Sequence, residues 1–166
     1  GDYIGILNAG DIYCNKSILK KIFNIICINK YQVLFGNLIY LNDKNHPVRF
    51  WNFPIKKLTY FSALKIASPT LFIKKKLLIN CPYNTSFSIS ADTDFNLRLS
   101  KKKLKFLYLN QNIVFMKTGG LSTNFKFFLT KMKQDLIILK YFFNITFSLI
   151  YLYKILIKLR TYKVNL

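Results

Sequence analysis

Asp92 and Asp94 stand beside Arg98 in the stretch Ser90-Ala91-Asp92-Thr93-Asp94-Phe95-Asn96-Leu97-Arg98-Leu99. The whole chain has only 6 acidic residues, and every one is Asp. Carboxylates serve as acids, bases and ligands for hard metals, so a chain this poor in them has few places for such chemistry. Asp92 follows small Ser90 and Ala91 and precedes Phe95 and Leu99, an apolar pair one helical turn apart. This pattern predicts a helix start with Asp92 at or near the N-cap. A carboxylate there is held by backbone N–H groups and kept ionised by the helix dipole. On this evidence Asp92 is either a cap alone or a fixed, ionised base.

Other chemistries find little support. Cys14, Cys27 and Cys81 form no CxxC pair and read as reduced, mostly buried thiols of a cytosol-facing protein. With His46 as the one histidine, a zinc site is not expected, and a Ser-His-Asp triad would have to use the polar loop Asn42–Pro47. A hydrophobic content of 52% excludes disorder, and 166 residues suffice for a real core. The formal charge of +20 suits a phosphate-bearing partner or simple compositional drift towards Lys, Ile, Asn, Phe and Tyr.

The elements that must position Asp92 follow an α/β grammar. Tyr3–Leu7 reads as a buried strand closed by the turn Asn8-Ala9-Gly10-Asp11. Ile18, Leu19, Ile22, Phe23 and Ile26 share a helical face, with Asn15 or Ser17 as its cap. Val33–Tyr40 is a second strand, which completes a βαβ unit and places Asn8–Asp11 at a strand's carboxyl end, where ligands collect. Asn42–Pro54 reads as a loop whose Trp51 either stacks on a ligand or packs. Ile55–Ile66 is weakly helical, Ser68–Ile73 is a strand, and Lys74–Lys76 opens a short helix or turn. Lys105–Leu109 and Ile113–Met116 read as two further strands, and Gly119-Gly120-Leu121-Ser122 as a hinge.

From about Asn124 the pattern changes: no Pro or Gly follows Gly120, so a long helix or a helical pair is allowed. Lys133, Lys140, Asn144, Ser148, Tyr151, Lys154 and Lys158 recur at helical spacing within a broadly apolar sequence. The uncharged run Tyr141–Tyr153 is too short to span a bilayer. Such a helix lies either at a membrane interface or on a protein core.

Four motifs then come in order: Leu7-Asn8-Ala9-Gly10-Asp11, Phe35-Gly36-Asn37, Ser90–Leu99 and Gly119-Gly120-Leu121-Ser122. Together they resemble family 2 glycosyltransferases of the GT-A fold, in the bacterial branch that builds surface polysaccharides. The resemblance runs from Gly1 to about Ser122. It implies the carboxyl-terminal part of a Rossmann-like mixed sheet followed by an amphipathic helical segment, divided as 1–123 and 124–166. The first, nucleobase-binding strands of such enzymes would lie before Gly1.

The resemblance implies inverting transfer from a nucleotide-sugar donor to a saccharide or lipid-linked acceptor. Asp92 matches the general base. The metal-binding Asp-rich turn matches Asn8 to Asp11, with Asn8 and Gly10 standing where Asp is usual. Asn8 and Asp11 are therefore expected at the donor diphosphate, and Asp11 as the ligand of a divalent metal, Mg or Mn. Ser68 replaces a His common before the Thr70–Ile73 strand. The expected setting is the cytoplasmic face of the plasma membrane, held peripherally through residues 131–160. The alternative is a non-catalytic basic module that binds membrane or nucleic acid. No RNP, zinc-finger or helix-turn-helix pattern supports nucleic acid, which is not an expected partner.

Overall fold

A computed structural model describes residues 1–119 and 127–162. Its centre is a mixed sheet in the order β1-β5-β3-β6-β2, with β4 paired to β3. The strands are β1 (Tyr3–Gly5), β2 (Ile12–Tyr13), β3 (Val33–Leu41), β4 (Pro47–Trp51), β5 (Phe72–Lys74) and β6 (Phe106–Lys117). β5 runs antiparallel to both β1 and β3, whereas β6 runs parallel to β3. β1, β3 and β6 therefore point the same way, and their carboxyl ends share one edge. The helix α1 (Ile18–Asn29) makes the crossover between β1 and β3.

β3 is buried along almost its whole length, as a central strand should be. The two strands expected at 105–109 and 113–116 are halves of the single strand β6. Its register slips against β3: Gly36 lies opposite Leu109 but Leu38 lies opposite Val114. Residues 110–113 bulge over Gly36 as a result. A Cβ there would meet the Leu109 carbonyl oxygen at 2.6 Å and Ile113 at 2.7 Å, so only glycine fits.

The expected loop Asn42–Pro54 is instead a hairpin turn followed by β4. The Asn42 side chain accepts from the N–H groups of Lys44 and His46, and Asn45 takes a positive φ of 60° to close the turn. Trp51 packs: its ring is buried, and its indole N–H donates to the Lys65 carbonyl at 2.7 Å. The weakly helical stretch reduces to α2 (Tyr60–Ala63), capped by Thr59 and Ser62. Ser68–Thr70, expected to enter a strand, forms a 3-10 turn with Pro69 near its start, and the strand begins only at Phe72. Lys74–Lys76 opens the short helix α3 (Lys75–Asn80).

α1 presents Ile18, Ile22 and Ile26 to the core, but Leu19 and Phe23 face out, so its buried stripe is narrower than the five-residue face expected. Ser17 holds the N-cap position without a side-chain cap bond, because its hydroxyl donates to Asn15. Of the three cysteines, all of them free, Cys81 is buried, Cys14 is partly exposed and Cys27 is exposed, which corrects the expectation of mostly buried thiols. The boundary at 123/124 and the hinge at Gly120–Ser122 lie outside the described residues.

The C-terminal segment is a helical hairpin. α5 (Phe128–Phe143) ends at Asn144, whose φ of 47° turns the chain through a short 3-10 turn into α6 (Phe147–Leu159). Phe128–Leu159 has the length and apolar composition of a membrane-crossing helix, yet this turn folds it back on itself. Ile138, Leu139 and Ile150 pack with Ala63, Leu64 and Leu97, so one side of the hairpin shares a core with α2 and with α4 (Ala91–Ser100). The segment is the helical pair of the two forms allowed, and the single polar stripe expected from the spacing is consequently split. Lys133 and Lys140 are exposed on α5, while Lys154 on α6 is buried and only 8% exposed.

Candidate active site

α4 starts where the residue pattern placed it. Ser90 occupies the N-cap position, Ala91 opens the helix and Asp92 follows. The Asp92 carboxylate accepts from the Thr93 N–H at 2.7 Å, so an orphan backbone donor of the first turn fixes it. Asp92 is exposed, whereas Thr93 to Leu97 are all buried. The helix is thus anchored by its inner face and offers one carboxylate to solvent.

Asp94, the other half of the acidic pair, does different work. Its carboxylate lies 2.8 Å from the Arg98 guanidinium, one turn on. Arg98 also donates to the Pro82 carbonyl at 2.7 Å and to the Cys81 sulfur at 3.0 Å. The Asp94–Arg98 pair therefore pins the loop after α3 to the flank of α4. Tyr83 in that loop stacks on Phe95, with ring centroids 4.1 Å apart. Burial, with the charge of Asp92 adding to it, pushes the Tyr83 hydroxyl up to about 12.

The Ser90 hydroxyl makes no cap bond to α4; it accepts from the Lys131 ammonium of α5 at 3.5 Å. Asp135 is 3% exposed and lies 2.7 Å from Lys154 and 3.7 Å from Lys131. Lys154 in turn reaches the Thr93 hydroxyl at 2.8 Å. From α5, the Gln134 amide oxygen accepts from the N–H groups of Ile89 and Ser90. The helical hairpin thereby holds the start of α4 from behind. Lys154 points into this cluster, where headgroup contact had been expected, because its partners Asp135 and Thr93 are on the inside.

Asp11 sits on the turn that crosses the carboxyl ends of the sheet between β1 and β2. Its N–H donates to the Asn8 carbonyl at 3.0 Å, and the Asn8 amide donates to its carboxylate at 3.3 Å. Gly10 takes a φ of +87°, which a side chain would strain. Asp11 is 9% exposed, and burial raises its carboxyl above the ordinary value, with the Asn8 hydrogen bond opposing.

Tyr40 is the penultimate residue of β3. Burial raises its hydroxyl; the Arg49 charge opposes this, and the charges of both Asp92 and Asp11 add to it. The charges of Asp92 and Asp11 thus both reach the Tyr40 hydroxyl. Ser68 is elsewhere: its hydroxyl accepts from the Asn96 amide at 3.1 Å, beneath α4.

The folded chain superposes on TarS from S. aureus, a glycosyltransferase. Against TarS 1–349 with UDP the TM-score is 0.57 at 15% identity, and against the same protein with UDP-GlcNAc it is 0.60 at 15% identity. The fold is glycosyltransferase-like. Each superposition covers 84% of this chain but only 41% and 43% of the TarS chains, so the chain spans about two fifths of their length. No family model matches the sequence, and no curated protein matches it.

Two surface cavities lie apart from these carboxylates. One, of about 530 Å³, is lined by Tyr83, Phe87, Arg98 and Tyr141 among others; the second, of about 430 Å³, lies along Pro54–Lys56 and Tyr108. Neither includes Asp11 or Asp92.

Sequence reasoning missed Tyr40, Arg49, Asp135 and Lys154 as partners of this edge. For Asp135 a signal existed: it is a lone acid in a lysine-rich helix, and such a residue is a natural counter-ion.

Among the described residues, no three His, Cys, Asp or Glu side chains gather as a metal cluster. The Asn8–Asp11 pair offers one carboxylate and one amide oxygen. Such oxygens suit a hard cation that draws its remaining ligands from phosphate and water.

Proposed function

We propose that this chain carries sugar transfer from a nucleotide-sugar donor to a hydroxyl acceptor, with inversion, and that Asp92 is its general base. One observation supports the reading above the rest. Asp92 is an exposed carboxylate fixed at the start of α4 by the Thr93 N–H, in a fold shared with a protein seen with UDP and UDP-GlcNAc.

The acceptor hydroxyl must lose its proton as it attacks the anomeric carbon. On this reading the exposed Asp92 carboxylate, fixed by the Thr93 N–H, receives it. Attack from the side opposite the departing nucleoside diphosphate inverts the configuration of the sugar. Asp11, with Asn8 orienting its carboxylate, would hold a divalent metal, Mg or Mn. When bound, such a cation neutralises the negative charge that gathers on the diphosphate. Asp94 and Arg98 keep the Tyr83 loop in place beside the base.

The exposed apolar side of the helical hairpin supports a membrane-surface setting for this reading. Leu149, Leu152, Leu156 and Leu159 of α6 are each more than half exposed. A lipid-linked acceptor presented at the cytoplasmic face of a membrane would lie in the plane where this face docks, and a saccharide acceptor attached to the membrane would do the same.

The decisive experiment is a transfer assay with UDP-sugars and saccharide or lipid-linked acceptors, with product anomers read by NMR. Transfer by the native chain that disappears in Asp92→Asn supports the assignment. Undiminished transfer in Asp92→Asn removes Asp92 from the role of base.

A further inference from the structure

The Asp94 carboxylate is only half used by the protein. Its Oδ2 takes the Arg98 guanidinium at 2.8 Å, and among the described residues its Oδ1 has no hydrogen-bond partner. Asp94 is 7% exposed, and it lines the cavity of about 530 Å³ between the loop after α3, α4 and α5. A carboxylate oxygen left over in such a place is an acceptor for a donor group on a ligand.

The rest of the wall is largely aromatic. Tyr83 and Phe87 come from the loop, Tyr141 and Phe142 from α5. Their rings face different ways: Tyr83 lies nearly parallel to Phe95, at 19°, while Tyr141 and Phe142 meet edge to face at 83°. Both sides of the cavity are held in place. Arg98 ties the loop to α4 through the Pro82 carbonyl, and Ile138 of α5 is packed in the core. Asn84 adds a donor, because its Oδ1 is taken by the Ser86 N–H at 3.0 Å and its amide N–H groups remain. An apolar, preformed cavity with a few polar groups is the usual form of a small-molecule site.

We propose that this cavity binds a saccharide ring. A sugar hydroxyl donates to Asp94 Oδ1 in a charge-assisted bond, a neighbouring hydroxyl accepts from the Asn84 amide, and ring C–H groups cover the aromatic faces. Other small ligands fit less well. A flat nucleobase wants a parallel slot, and these rings do not form one. An organic cation meets a carboxylate already paired with Arg98, and rings over which Lys101 lies at 5.2 Å from Tyr141 and 4.7 Å from Phe142. Asp92 stands two residues before Asp94, about half a helical turn away, so the cavity is distinct from the position of the base. That the saccharide is a remote unit of an acceptor rests on the glycosyl-transfer reading; the binding itself does not.

The test is saturation-transfer NMR on the full chain with the methyl glycosides of glucose, galactose, mannose and N-acetylglucosamine. Saturation should reach the ring C–H protons of at least one of them. Its dissociation constant should rise at least about tenfold in Asp94→Asn, for the lost charge-assisted bond, and at least about threefold in Tyr141→Ala, for one lost ring face. Tyr141 is 76% exposed, so its variant should keep the fold even if Asp94→Asn does not. Phe23→Ala, at a residue 65% exposed on α1, is the control and should bind as the native chain does. Uridine, tetramethylammonium and UDP are run beside the glycosides, and UDP should bind Tyr141→Ala unchanged. If no glycoside binds, or Tyr141→Ala binds them like the native chain, the proposal is overturned. Uridine or tetramethylammonium binding through Tyr141 in place of the glycosides overturns it as well, and so does weaker UDP binding in that variant, which would give the cavity to the donor. Glycoside binding through Tyr141 in a chain that transfers no sugar keeps the site and loses the transferase reading; transfer that depends on Asp92 without glycoside binding does the reverse.

Discussion

The Lys154 ammonium on α6 lies 2.7 Å from the Asp135 carboxylate on α5, and both are almost fully buried. This contact joins the two arms of the hairpin, and through the Thr93 hydroxyl it reaches the first turn of the helix that carries Asp92. A pair out of water is costly to break from one side, because the remaining charge has no solvent to return to.

Asp135→Asn should therefore cost about 3–5 kcal/mol of stability, whereas Asp135→Leu with Lys154→Met should recover most of it. Urea unfolding of the two variants measures the difference. Burial pushes the Asp135 carboxyl up, but Lys154 and Lys131 outweigh it and leave the group below its ordinary value. A depressed carboxyl contributes stability above its unfolded value, and that contribution disappears as pH falls through the lower native value. The acid limb of the native chain should be steeper than that of the Leu/Met variant. Identical acid limbs would show that the pair carries no charge in the folded chain.

Asp92→Asn should lower transfer at least about a hundredfold while donor binding stays nearly unchanged. Its side chain is exposed and makes only local bonds to Thr93, so the fold should survive with a loss of about 1 kcal/mol or less. Paired measurements of turnover and UDP affinity separate a lost base from a lost binding site; a parallel collapse of both would place Asp92 in donor binding instead.

Asp11→Ala should weaken metal-dependent binding of a nucleoside diphosphate and leave its metal-free binding largely intact. Calorimetry with and without Mg or Mn makes the comparison. The same metal dependence in the variant would move the ligand away from Asp11.

Much of this arrangement was legible in the residues, and the remainder was hidden for definite reasons. Asp92 announced its helix start through small residues before it and an apolar pair after it. Strands rich in Ile, Leu and Phe announced the sheet. The bulge of β6 was not visible, because Asn110-Gln111-Asn112 reads as a break between two strands when Gly36 of the partner is not considered. Lys154 fitted a polar stripe by its spacing; a helical pair was allowed, but no Gly or Pro marks the turn at Asn144 whose positive φ brings Lys154 against Asp135. Arg49 carried a faint signal. It is one of three arginines in a lysine-dominated chain, and arginine is the residue suited to a buried, stacked, forked position.

The hairpin's outer face makes the last prediction, that α5 and α6 hold the protein on anionic membranes. Ile145 is 88% exposed, Leu149 68% and Leu159 60%, on a hairpin whose inner face already fills the core. Removing such surface from water gains roughly 25 cal/mol per Å², and each basic side chain near anionic headgroups adds about 1 kcal/mol. Residues must be chosen by the side they face. Leu152→Ser with Leu156→Ser should reduce co-sedimentation with both neutral and anionic vesicles, since both side chains point outward. Lys133→Glu with Lys140→Glu should reduce it only for anionic vesicles, and that loss should shrink in high salt. Lys154→Glu should instead unfold the hairpin, because it would put two carboxylates together in the core. If the native chain stays in the supernatant, or the Leu152/Leu156 variant pellets equally well, the exposed leucines serve another partner and the membrane setting is wrong.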